Sequence, residues 1–383
     1  MTERVFLDSS YLNSSSITGT RTRVKDVSPT SGLCGLCVED CPFLCEIGFS
    51  ALRGREALYP VQEYFGRSTA AAIKNYGLDW SHFTILPSLD GVRAERPKAF
   101  IFEDVDVSSR IGGIPIKLPI MLLALGSTEV ARKNWTSLAI GSAISGIIQI
   151  VGENVAGMDD EAVFSNGKVK SSPELKRRIE EYRLFWDGKH GDIAVQTNVE
   201  DQMLGVDEYA ISNLEVNIIE RKWGQGAKAI GGEVRIRSLD KALRLKKLGY
   251  IVIPDPENKC VQDAFKRGIL KSFERHSRVK TPLLKDFVED VDKLREMGAK
   301  KIFLKTGSYR PLSVAFTLRV ASEAKIDVVT FDGAGGGTGM SPVPMMNEMG
   351  VPTVYLAVQV IRAARILRRH KRHVPDIVIA GDL

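Results

Sequence analysis

Four of the five cysteines in this 383-residue chain crowd into one stretch, at Cys34, Cys37, Cys41 and Cys45. The spacing is C-x2-C-x3-C-x3-C, with Pro42 after the third. An odd total and such crowding do not make a secreted disulfide framework. Four thiolates this close can wrap a compact iron–sulfur cube, of the 4Fe–4S or 3Fe–4S kind. The ferredoxin run C-x2-C-x2-C-x3-C-P is near, but its second gap is one residue shorter and its proline follows the last cysteine. Zinc fits less well, because its ligands usually come as two separated pairs. A buried stripe of inert thiols on one helix face is the plain alternative, and Gly35 and Pro42 argue against an unbroken helix. We therefore expect Cys34, Cys37, Cys41 and Cys45 to ligate an iron–sulfur cluster. Cys260 stands alone and reads as a core residue.

Three further segments could do chemistry. Lys305 ends the apolar run Ile302-Phe-Leu-Lys305. An ammonium there is costly unless it meets an anion or an electron-rich ring, although a lysine can also snorkel to solvent. The glycine-rich run from Asp332 through Gly335, Gly336 and Gly337 to Gly339 follows an apolar stretch. Its backbone could approach an anion or a flat ring without Cβ obstruction. It matches neither the P-loop nor the spaced dinucleotide fingerprint, and locally a flexible loop explains it equally well. Glu220 to Glu233 presents Gln225, Lys228 and two glycines close together, a set suited to gripping a carboxylate.

These segments need elements to position them. The composition is 44% apolar and 26% charged, with 53 Lys plus Arg against 47 Asp plus Glu for a net charge of +6. That allows a sizeable core and argues against disorder. No apolar run reaches the roughly 18–20 residues of a membrane span, and Met1-Thr-Glu-Arg opens no signal peptide. The reading is a soluble, cytoplasmic protein. Residues 1–30 look like an extended arm, 31–90 a cysteine-rich region, and 91–383 the main body. There, short β-branched runs at 117–123, 146–151, 192–196, 214–219, 301–305, 327–331 and 376–380 alternate with amphipathic stretches at 128–142, 173–185, 239–248, 284–297, 311–323 and 355–369. Strand, helix, strand means parallel pairing with right-handed crossovers. The expected fold is α/β, a (β/α)8 TIM-type barrel apparently lacking its last strand; a doubly wound sheet is the competitor.

In this order the segments resemble the central FMN-binding domain of the glutamate synthases, over roughly residues 90–383. The family's Q-G-A-K-P-G-x-G-G-Q reads here Gln225-Gly-Ala-Lys228-Ala-Ile-Gly231-Gly232-Glu233. Its D-G-G-T-G-A-S-P is similar to Gly336-Gly-Thr-Gly-Met-Ser-Pro342. Its first strand and serine turn look like Leu123-Ala-Leu-Gly126-Ser127, and its N-T-G-E-G-G loop is echoed by Val151-Gly152-Glu153-Asn154. The resemblance implies FMN on the barrel and reductive amination of 2-oxoglutarate to glutamate through 2-iminoglutarate. It implies substrate-binding roles for Gln225, Lys228, Glu233 and Glu153. Cofactor-binding roles fall on Gly126, Ser127, Gln196, Lys305, Gly335, Gly336 and Gly337, with Lys305 also catalytic.

The departures shape the expected partners. The family places its cluster cysteines after the barrel, whereas here they lie near the N-terminus and would relay electrons from there. Glu233 replaces a substrate-binding glutamine, so a related small acid could replace 2-oxoglutarate. No amidotransferase domain precedes the barrel, so ammonia is expected from a separate glutamine amidotransferase subunit. Electrons are expected from a donor subunit or ferredoxin, and another polypeptide could complete the barrel. Two alternatives remain: a flavin barrel acting on a different small acid, or a non-catalytic iron–sulfur subunit of a split complex. The basic run at 362–372 has no interleaved aromatics and sits where cations normally complement a helix C-terminus, so nucleic acid is not expected as a partner.

Overall fold

The computed structural model describes residues 105–224, 233–278, 283–334 and 350–381. A short hairpin opens them, β1 (Ser109–Ile111) and β2 (Ile114–Ile116), followed by β3 (Met121–Leu125), α1 (Glu129–Ile144), β4 (Ile148–Val151) and α2 (Val155–Met158). A second hairpin, β5 (Val163–Ser165) and β6 (Lys168–Ser171), leads into α3 (Pro173–Arg183), β7 (Ile193–Thr197), α4 (Val199–Leu204), α5 (Val206–Ser212) and β8 (Ile218–Lys222). An insertion then contributes β9 (Glu233–Ile236), α6 (Leu239–Lys247), β10 (Ile251–Ile253), α7 (Lys259–Lys266) and β11 (Phe273–His276). The alternation resumes with α8 (Leu284–Glu296), β12 (Lys301–Thr306), α9 (Pro311–Glu323), β13 (Val328–Asp332), α10 (Thr353–Arg369) and β14 (Asp376–Ala380).

Seven strands form one parallel sheet in the spatial order β14-β13-β12-β8-β7-β4-β3. That order is the chain order and never reverses. A doubly wound sheet must reverse at its switch point. Right-handed crossovers that always step the same way put every helix on one face, which is how a barrel wall is built. The protein is therefore α/β with a singly wound parallel wall. All seven expected strands are present, each within a few residues of its expected bounds. Among the described residues β3 and β14 each pair on one side only. Both are apolar runs yet half-exposed, whereas β4, β7 and β13 are buried along their length.

Local chemistry sets the element boundaries. Thr128 caps α1 by accepting from the Ala131 backbone N–H, and Ser172 does the same for α3 with Pro173 at the first helical position. Asn198 and Asp201 form a reciprocal capping box on α4. The outer face of the wall packs under the helices in a core that includes Trp135, Val151, Ile219, Leu304, Leu318 and Phe331. The inner face holds a separate apolar cluster of Ile116, Ile148, Ile150, Ala194, Ile218, Phe303 and Val328. Ile116 comes from the opening hairpin, which plugs the amino end of the wall; Gly112 N–H donates to Asp376 Oδ2 at 2.7 Å there.

Two expectations need correction. The insertion between β8 and β12 forms a three-stranded antiparallel sheet, order β10-β11-β9, which the alternation of strand and helix did not announce. Cys260 is exposed, not core. On α7 the residues turned to the core are Val261 and Phe265, and Cys260 lies off that four-residue spacing. The arm at 1–30 and the cysteine-rich region at 31–90 lie outside the described residues.

Candidate active site at the carboxyl edge of the wall

Side chains of a strand alternate between its faces, so the inward set can be followed two residues at a time. Ala194 is inward and leads to Gln196; Ile218 leads to Glu220 and Lys222; Phe303 leads to Lys305; Val328 leads to Thr330 and Asp332. The interior thus changes from apolar at the amino end to polar at the carboxyl end on four adjacent strands. Gln196, Glu220, Lys305, Thr330 and Asp332 are all buried. The register sets Gln196 beside Glu220, and Lys305 between Lys222 and Thr330.

Two ion pairs organise this ring. Lys305 Nζ lies 3.1 Å from Asp332 Oδ2, and Lys222 Nζ lies 2.7 Å from Glu153 Oε1. Burial alone would lower the Lys305 pKa, but Asp332 and Glu220 outweigh it and hold the ammonium above the ordinary lysine value. Gln196 Nε2 donates to Glu220 Oε1 at 2.5 Å. Glu220 Oε2, Gln196 Oε1 and Thr330 Oγ1 are buried and have no hydrogen-bond partner. Burial pushes the Glu220 carboxyl up to about 7, although Lys305, Gln196 and Lys222 act to lower it.

The neighbouring turns cross without side chains. Gly152 N–H donates to Leu125 O at 2.9 Å, tying the end of β4 to the end of β3. A Cβ on Gly152 would fall 2.4 Å from the Gly126 nitrogen, and one on Gly126 would fall 2.8 Å from the Glu153 carbonyl. Only glycines allow this crossing, and it delivers Glu153 to Lys222. From α3, the fully buried Arg178 donates to the carbonyls of Leu125 and Gly126 at 3.0 and 2.9 Å and stacks 5.0 Å from the Trp135 ring. Ser127, next along, lines a cavity of about 710 Å³ whose walls also carry Arg132, Arg178, Arg237 and Lys241.

The inserted sheet meets the wall at the β4 and β7 ends. Asp201 Oδ2 accepts from the backbone N–H groups of Asn154 and Asn198, at 2.9 and 3.3 Å. Its full burial, with Glu153 and Asp207 as like charges, lifts its pKa to about 7 against those two hydrogen bonds. Tyr250 donates to Asn154 Oδ1 at 3.3 Å. The Arg275 guanidinium stacks 5.3 Å from the Tyr250 ring, is buried, and has no partner at Nε or Nη1. A buried cation with two unused donors in fixed geometry is prepared for a planar anion.

The structure places Glu153, Gly126, Ser127, Gln196 and Lys305 at the carboxyl edge. Lys305 does not snorkel: it is buried and paired. Gln225, Lys228, Gly335, Gly336 and Gly337 lie outside the described residues, as do Cys34, Cys37, Cys41 and Cys45; Glu233 begins β9, its side chain undescribed. Sequence reasoning assigned no role to Glu220, Lys222, Thr330, Asp332, Asp201 or Arg275. A signal existed for the first four, because each follows an inward apolar residue by two or four positions along a strand. For Arg275 there was none, since its strand belongs to the insertion.

The described residues fit FMN. Lys305 offers a cation for a ring that gains negative charge, the unpartnered Gln196 Oε1 and Thr330 Oγ1 offer an acceptor and a donor, and the Gly126–Gly152 crossing removes Cβ atoms at the edge. Residues 271–383 match the conserved region in glutamate synthase. No curated protein sequence matches the chain. Among solved structures it is similar to a mandelate oxidase with a monooxide FMN adduct (12% identity, 70% of this chain, 62% of that one, TM-score 0.36). It is also similar to a lactate oxidase of Pediococcus acidilactici (14%, 78% and 63%, TM-score 0.38) and to the flavin-binding domain of baker's yeast flavocytochrome b2 (14%, 75% and 58%, TM-score 0.40). The chain thus spans about three fifths of the length of these structures. Superpositions this loose add nothing to the fold beyond the strand order itself. Among the described residues no helix is long and apolar enough to cross a membrane.

Proposed function

We propose that the chain is an FMN- and iron–sulfur-dependent oxidoreductase of the glutamate synthase type, forming glutamate from 2-oxoglutarate and ammonia. The observation that carries this reading is the ring of Gln196, Glu220, Lys305, Thr330 and Asp332, all buried, with Lys222 half-buried beside them, at the carboxyl edge of a singly wound wall. The family match over residues 271–383 supports it. Ammonia would condense with the keto acid, expelling water to give 2-iminoglutarate, and the hydride that reduces the imine carbon is the chemistry that reduced FMN would supply when bound.

The protein's own part is position and charge. Lys305, held charged by Asp332, would face the ring of the cofactor. Arg275 would supply two donors for a substrate carboxylate, and the family motif assigns the same task to Gln225 and Lys228. Glu153, fixed by Lys222, stands at the same carboxyl edge. The cysteines at 34–45 would bring electrons in, from a donor subunit or ferredoxin, and a glutamine amidotransferase subunit would supply ammonia. Glu233 favours a second reading, in which the same barrel acts on a different small acid.

Anaerobic purification followed by FMN titration separates these readings from a non-catalytic iron–sulfur subunit. Flavin fluorescence should quench on binding, and glutamate should form from 2-oxoglutarate and ammonia with a chemical reductant. Flavin binding without glutamate formation would favour the second reading; no flavin binding would remove both.

A further inference from the structure

The polar ring is not balanced in charge. Its described members contribute three carboxyls, Glu153, Glu220 and Asp332, against two ammoniums, Lys222 and Lys305. Glu153 is paired with Lys222 and Asp332 with Lys305. Glu220 is left without an ion pair of its own. It is fully buried, on the inward side of β8, with Oε1 occupied by the Gln196 amide and Oε2 without any partner. An ionised carboxylate in that position would leave one oxygen desolvated and unmatched, a costly arrangement. A neutral carboxyl instead keeps Oε1 as the acceptor for Gln196 and turns Oε2 into an O–H donor.

We propose that Glu220 is the protonated acid of this site and donates a hydrogen bond from Oε2 to an acceptor atom, a carbonyl oxygen or ring nitrogen, of a molecule bound at the carboxyl edge of the wall. The ligand half of this statement rests on the FMN reading; the protonation half does not. The charged groups facing Glu220 are Lys305 from β12, Lys222 from its own strand and Glu153 from the β4 end, with Asp332 acting through Lys305. The lysines oppose protonation, and burial together with Glu153 favours it. The balance puts the carboxyl pKa at about 7, so the proton is held through the lower half of the neutral range. The donor is therefore present below that point and lost above it. Occupancy of the site should weaken as pH rises through 7, in the sense opposite to a carboxylate that grips a cation.

Two readouts test this. Infrared difference spectra of the flavin-free protein between pH 6 and pH 8 should contain a protonated-carboxyl C=O band that disappears at the higher pH and is absent in Glu220→Gln. FMN titrations should show wild-type affinity falling several-fold from pH 6 to pH 8. Glu220→Gln, whose amide keeps both an acceptor and a donor, should bind equally at the two values, and Glu220→Ala should bind more weakly at both. Absence of the band would overturn the proposal. A titrating band that Glu220→Gln abolishes, in a protein that takes up no FMN, would leave the protonation intact and remove the cofactor reading instead. A band with FMN affinity independent of pH would overturn the donor role.

Discussion

The two halves of the barrel interior are made by the same strands and obey opposite rules. At the amino end Ile116, Ile148, Ile218, Phe303 and Val328 fill the space with apolar volume and leave nothing to satisfy. At the carboxyl end the next inward positions are Gln196, Glu220, Lys305, Thr330 and Asp332, equally buried but with three side-chain atoms lacking partners. The lower half exists for the fold. The upper half costs stability that the lower half must offset.

The comparison is broken most sharply from below. Phe303 is fully buried, and its ring touches the space above Gly112 in the opening hairpin. Phe303→Ala removes a large apolar volume from a site walled on all sides, so unfolding free energy should drop by roughly 3–5 kcal/mol in a denaturant titration. Any protein that remains folded should bind FMN with nearly unchanged affinity. A variant that kept its stability would show that the lower half is not a packed core.

Lys305→Met attacks the upper half. Asp332 is left buried without its cation, which costs roughly 3–5 kcal/mol where an ion pair is broken. FMN affinity should fall at least about tenfold, or roughly 1.4 kcal/mol. The double variant Lys305→Met with Asp332→Leu separates the two effects: thermal stability should return while FMN affinity stays low. Recovery of both would mean that Lys305 serves only the fold.

The pH dependence has the same source as the upper half's cost. The Asp201 carboxyl is raised by burial from 3.8 to about 7. Between those values the folded state keeps a proton that the unfolded chain has released, so stability falls as pH rises from about 4 to about 7 and is level beyond. Asp201→Asn removes this dependence. The difference between wild type and variant should change by roughly 2–4 kcal/mol between pH 4 and pH 8, read by chemical denaturation. A constant difference would mean that Asp201 is ionised throughout.

How much of this was legible in the sequence follows from the same contrast. Runs such as Ile302-Phe-Leu-Lys305 and Asp327–Phe331 revealed every wall strand, because strands buried on both faces are written as continuous apolar stretches. Lys305 was legible for the same reason: one charge at the end of such a run is conspicuous. Glu220, Lys222 and Asp332 were not, because each sits in a mixed polar segment that reads as loop until the parity of the strand is known. The insertion hid Arg275 completely. Its strands are three or four residues long, and β10, a three-residue strand of alternating burial, carries too little pattern to declare itself.

The smallest effect is also the most discriminating. Thr330 lies on the inward side of β13, fully buried, next to Lys305 in register, and its hydroxyl has no partner. Thr330→Val keeps the shape and removes only the polar atom. In the lower half such a change would be neutral at best. Here it removes a desolvated hydroxyl that gains nothing in the ligand-free protein, so stability should stay constant or rise by up to about 1 kcal/mol. FMN affinity should nevertheless fall a few-fold, since a net hydrogen bond is worth roughly 0.5–1.5 kcal/mol. Opposite signs for folding and binding from one oxygen atom are what a ligand-binding hydroxyl requires. A loss of stability would place the Thr330 hydroxyl in an internal network instead, and the upper half would then be a polar core rather than a seat.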